Sequence, residues 1–106
     1  MDFDPANLFI SPHAVSQFRR RIARLEFAAA RESIAEGIRQ ATNILLLPDG
    51  ATWRIRTRRP FPYEFRAYCV YDQEFQSFVV ATVVRGDSCV MRKWRRHGIE
   101  PVAGSQ

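Results

Sequence analysis

Apolar residues open the chain at helical spacing. Val15, Phe18, Ile22 and Leu25 recur at intervals of three, four and three, which draws one buried stripe along an amphipathic helix. Ser11 stands where an N-cap belongs, and Pro12 fits the first helical position. A bend is expected near Glu26 and Phe27. The period resumes through Ala30, Ile34, Ile38, Ala41 and Leu45, with Gly37 lowering the propensity without ending the helix. Pro48, Asp49 and Gly50 form a turn that closes the helical half.

Beyond that turn the period changes to two. In residues 52–58, Trp53, Ile55 and Thr57 alternate with Arg54, Arg56 and Arg58, as on a strand with one buried face. Two prolines interrupt it at 60 and 62. Residues 63–71 make a second strand, and residues 77–84, apolar almost throughout, a third that reads as central. Residues 89–94 make a fourth. The pattern predicts one α+β domain over residues 1–106: two N-terminal helices packed on one face of a four-stranded, mainly antiparallel sheet, with 1–9 and 98–106 as loose tails.

Composition adds a charge argument. The 106 residues carry a net charge of +5, and Lys93 is the single lysine among sixteen basic residues. The charge is segregated: residues 13–25, 50–66 and 85–97 each carry +4, and the rest of the chain carries −7. Guanidinium groups grip phosphate in a fixed fork, so this distribution points to a polyanion, with nucleic acid the commonest. No stretch approaches the roughly 20 apolar residues of a membrane span, so no membrane partner is expected. The acidic opening MDFDPANLF does not fit a secretory signal, which makes the cytoplasm the expected location. Cys69 and Cys89 lie outside any CxxC pair, and His13 and His97 are far apart. Two reduced thiols are expected, with neither metal nor cofactor.

The candidate chemistry lies in the basic segments. On a helical wheel His13, Gln17, Arg20 and Arg24 share the side opposite the apolar stripe, with Arg21 on its flank. A solvated helix face accounts for that arrangement by itself. His13, however, falls in the first turn, where the helix dipole favours a neutral imidazole and free N–H groups attract an anion. There it is a candidate proton-transfer group for phosphodiester cleavage, with Arg20 offsetting charge on the phosphorane. Arg54, Arg56 and Arg58 form a stripe without an acid among them, and Arg66 extends it from the next strand. Tyr63, Tyr68, Trp53 and Trp94 offer stacking surfaces, although core packing is favoured for Trp53. Lys93 and Arg95 belong to a third basic segment, beside His97, a second acid/base candidate. Thr82 interrupts the apolar run VVATVV as a packing residue or a phosphate ligand.

The opening SPHAVSQFRRRI, followed by a helix and by strands with VVATVV and a basic end, resembles the small RelE/BrnT-like ribonuclease toxins of the barnase–EndoU–colicin–RelE fold. The resemblance spans roughly residues 10–95 and implies helices on a four-stranded antiparallel sheet and metal-independent cleavage of RNA. It also implies His13 as the helix histidine, one of Arg19, Arg20 and Arg21 as the helix arginine, and Thr82 as the polar residue on the central strand. Two functions follow as expectations. One is a toxin-like endoribonuclease using His13, Arg20 and Thr82, with Arg21, Arg24, Arg54, Arg56, Arg58, Arg66, Lys93 and Arg95 binding RNA. The other is a non-enzymatic module that binds nucleic acid or an acidic, antitoxin-like protein.

Overall fold

The computed structural model of the protein describes residues 2–86. Its elements run β1 (Leu8–Ile10), α1 (Pro12–Arg21), α2 (Phe27–Gln40), β2 (Asn43–Leu46), β3 (Thr52–Arg56), β4 (Phe65–Asp72) and β5 (Ser77–Arg85). The strands form one sheet in the order β1-β5-β4-β3-β2. β2 to β5 are an antiparallel meander, and β1 joins β5 in parallel.

The α+β class and the two helices match the sequence pattern, but the sheet has five described strands and is mixed rather than four-stranded. Leu8 and Phe9, read as the end of a loose tail over 1–9, enter the sheet with Ile10 because Leu8 and Ile10 can reach the core beside Phe78 and Val80. Asn43–Leu46, read as the end of the second helix, is a strand. The chain turns extended at Ala41 (φ −70°, ψ 142°), and a hairpin partner for β3 is worth more than another helical turn. Asp49 shapes that hairpin. Its Oδ1 accepts from the N–H groups of Ala51 and Thr52, both at 2.9 Å, and its Oδ2 from the Thr52 hydroxyl at 2.6 Å. These bonds, the Thr52 hydroxyl first, hold its carboxyl below the usual carboxylate range. Gly50 supplies the left-handed turn residue at φ 72°. The strand expected at 89–94 and the tail at 98–106 lie outside the described residues.

Both helices cover the same face of the sheet. Val15, Phe18, Ile34 and Ile38 are fully buried against Ile55, Phe65, Val80 and Val83. The Phe18 ring stands edge-on to Phe65 at 5.7 Å and to Tyr63 at 5.5 Å. α2 comes so close to β4 that a Cβ on Gly37 would lie 2.8 Å from Phe65 Cζ. Ser11 caps α1, its hydroxyl accepting from Ala14 N–H at 3.1 Å, and Pro12 takes the first turn as its sequence position predicts. No helix among the described residues is long and apolar enough to cross a membrane.

α1 does a second job at the sheet's edge. β1 pairs with β5 only at Phe78, Val79 and Val80. Farther along β5, Gln17 comes up from α1 and its Oε1 accepts from Val83 N–H at 2.9 Å. The Ser11 N–H donates to Val80 O at 3.2 Å. Gln17 is therefore buried, at 7% exposure, and not a member of a solvated face.

Two predictions follow from this packing. Gln17→Met keeps the side-chain length but leaves Val83 N–H unpaired in the interior. It should cost about 1–3 kcal/mol in urea unfolding. Burial pushes the Cys69 thiol up to about 12 from an ordinary 9.0. Between those values the unfolded chain has lost a proton that the folded chain keeps, so stability falls as pH rises. The slope from this residue is at most about 1.4 kcal/mol per pH unit. Cys69→Ala should lower stability at neutral pH yet flatten the alkaline decline, as read from unfolding curves across that window.

Candidate functional site

The sheet has two unlike faces. One is roofed by the helices. Among the described residues no helix covers the other, and cross-strand register orders its side chains into three rows. Thr52, Val70, Val79 and Phe9 form the first, across β3, β4, β5 and β1. Leu45, Arg54, Tyr68 and Thr82 form the second, across β2 to β5. Asn43, Arg56, Arg66 and Val84 form the third. A bulge in β5 at Ala81 shifts the register between Tyr68 and Cys69 and keeps Thr82 on this face while Val80 stays in the core. The face is thus graded: a mainly apolar row, a row in which Arg54 stands with a phenol and a hydroxyl, and a row with Arg56 and Arg66 at its centre.

Its electrostatics are unfavourable in the isolated chain. Arg56 and Arg66 are directly opposite, an arrangement that destabilises a sheet. The ion pairs among the described residues go elsewhere. Arg39 pairs with Glu32 at 2.8 Å and Glu36 at 2.6 Å, and Arg59 takes Glu64 at 3.0 Å. Arg54 and Arg66 are only partly exposed, and their Nε atoms are buried without a hydrogen-bond partner among the described residues. A buried donor left unpaired costs about 1–3 kcal/mol. An anion laid on this face would supply acceptors to the guanidinium groups and relieve the repulsion.

The residues singled out from sequence separate into groups. Arg54, Arg56, Arg66 and Thr82 come together on the open face, and Tyr68 stands between Arg54 and Thr82. Arg58 leaves the stripe: β3 ends at Arg56, and the Thr57 hydroxyl donates to Tyr63 O at 3.0 Å as the chain turns into the loop before β4. His13, Arg20 and Arg21 are exposed on α1. Arg24 does not share the His13 face as part of one helix, because α1 ends at Arg21. With Arg19 and Arg20 it instead lines a hollow between α1 and the linker that follows it, bounded by Leu25 and Glu26, where Arg19 Nε donates to Leu25 O at 2.7 Å. No hydrogen bond, ion pair or ring contact joins His13 to the open-face group. Yet α1 is tied to β5 at Val80 through Ser11 and at Val83 through Gln17, and these two ties bracket both His13 and Thr82. Tyr63 packs against Phe18 and Phe61, and Trp53 lies toward Phe3 on the core side. Trp94, Lys93, Arg95 and His97 lie outside the described residues.

Phe9, 53% exposed at the apolar end of the open face, had no signal in the sequence, because LFI is apolar at all three positions. Comparison of the chain with protein-family models, curated proteins and solved structures finds no match.

Arg66→Met keeps the apolar stem and removes both the charge opposite Arg56 and the unpaired Nε. Thermal unfolding should show stability unchanged or raised by up to about 1 kcal/mol, while retention on a polyanion resin falls.

Proposed function

We propose that this protein binds single-stranded nucleic acid, RNA in the first place, on the open face of its sheet. The observation that carries the reading is the group of Arg54, Arg56 and Arg66, unpaired by any acid among the described residues, beside Tyr68 on the sheet face that no described helix covers. Phosphates would take the basic row, and bases would stack on Tyr68 and spread over the apolar row toward Phe9. An acidic protein partner would satisfy the guanidinium groups equally well, but would not need this phenol between a basic and an apolar strip. Arg20, Arg21 and Arg24, on and after α1, would add electrostatic attraction from a separate surface.

One observation favours a catalytic form of the same reading, a metal-independent endoribonuclease akin to the toxins that the opening sequence resembles. The two ties between α1 and β5 bracket His13 as well as Thr82, which sits in the Arg54–Tyr68 row. In that mechanism the 2′-hydroxyl attacks the adjacent phosphorus, and the 5′-oxygen of the next nucleotide leaves with a proton. His13 would take or give a proton, Arg54 and Arg56 would hold the pentavalent phosphate, and Thr82 would hydrogen-bond a phosphate oxygen.

The test separates the two. Single-stranded RNA, labelled, is incubated in EDTA with wild type, His13→Ala and the double variant Arg54→Met with Arg66→Met. The binding reading expects affinity that falls with salt at a log–log slope of about −0.7 for each phosphate neutralised. It expects the slope to be shallower by about two contacts in the double variant and unchanged in His13→Ala. Cleavage by wild type, absent from His13→Ala while binding persists, selects the ribonuclease. A salt slope near zero in the wild type sinks both.

A further inference from the structure

Among the described strands β2 ends the sheet, and none of them pairs with its outer edge. Which of its backbone groups are free follows from the hairpin. Leu47 N–H donates inward to Thr52 O at 2.8 Å. Along a strand these bonds alternate in direction, so Leu45 and Asn43 also bond inward, and Ile44 and Leu46 turn their N–H and C=O groups outward. Leu45 and Leu46 are 45% and 42% exposed. Edge strands are usually protected by charge, proline or a bulge. Residues 41–47, ATNILLL, carry no charge and no proline, and the register with β3 is regular.

We propose that β2 is a self-association edge, pairing antiparallel with β2 of a second copy to make one sheet continuous across the two copies. The charge distribution selects a second copy as occupant. The molecule is basic overall and its open face strongly so, so two copies repel unless they meet along a neutral strip, and β2 is one. Across paired β2 strands the nearest arginine-bearing strands, β3 and its counterpart, would be about 14 Å apart, three strand spacings of about 4.8 Å. That exceeds the screening length of about 8 Å at physiological salt. An antiparallel pair of identical strands has a two-fold axis, which closes the assembly at a dimer. Ile44 and Leu46 of each copy would exchange their free backbone bonds, and Leu45 side chains would meet on the open face. A foreign acidic partner has nothing to bind here, because the strand offers no cation.

The 106-residue chain, free of nucleic acid, is studied by sedimentation equilibrium over a wide concentration range. The mass should rise from 12.3 kDa toward twice that value. Over the same range, hydrogen exchange at the Ile44 and Leu46 amides should slow, while Asn43 and Leu45 change little. Leu45→Lys, at an exposed site, should move the midpoint of association to about tenfold higher concentration or beyond. Phe75→Lys, the same charge change at a 74% exposed turn residue away from the edge, should not. A monomer at every concentration overturns the proposal. So does equal weakening by the two lysine variants. Slow exchange of Ile44 and Leu46 in a dilute monomer also overturns it, because a segment of the same chain would then fill the edge. The exchange measurement on wild type decides the matter even if Leu45→Lys fails to fold.

Discussion

The bond from Val83 N–H to Gln17 Oε1 is the constraint on which the layout of this molecule depends. β5 is flanked on one side by β4 along its whole length, but on the other by β1 for three residues only. Past Val80 that side would be a raw edge. α1 closes it, tied by Ser11 at the start and by Gln17 two turns on. With Gln17 held at the edge, Ala14, Val15 and Phe18 must turn under the sheet, and His13 and Arg20 must turn outward. The helical layer is thereby committed to one face, and no helix among the described residues covers the other.

That open face departs from what stability alone would select. Arg56 opposite Arg66, with two guanidinium nitrogens buried and unpaired among the described residues, costs free energy that apolar residues at the same positions would avoid. The face carries a compensating order: Arg56 and Arg66 in one row, Arg54 with a phenol and a hydroxyl in the next, mainly apolar groups in the third. A surface arranged this way suits a ligand that is itself anionic along one side and flat and apolar along the other. The conflict between local cost and global order is the kind expected at a binding site.

The strand alternation of β3 was legible because each residue takes its face from parity alone, so Arg54 and Arg56 could be assigned to one side from sequence. The capped start of α1 was legible for a similar reason, since Ser11 and Pro12 act on their own neighbours. Gln17 was not. Its wheel position puts it on the solvated side with His13 and Arg20, and only the edge of β5 beyond β1, 66 residues away, makes burial favourable. β1 and β2 were missed for the same cause. Three or four apolar residues have no period of their own, and Leu45 fits a helical spacing from Ala41 until β3 offers a partner.

The sequence by itself determined the class of the fold, the two helices, the hairpin turn at Asp49 and Gly50, and the parity that puts arginines on one side of a strand. All of these rest on interactions between residues close in the chain. Tertiary structure alone decided that Thr82 and Tyr68 join Arg54 in one row, that Arg58 and Arg24 do not share the faces their spacing suggested, and that β2 pairs with β3 at the end of the sheet of described strands. Those outcomes depend on register between strands and on which edges remain free, and both are set by the closing of the whole sheet rather than by any segment within it.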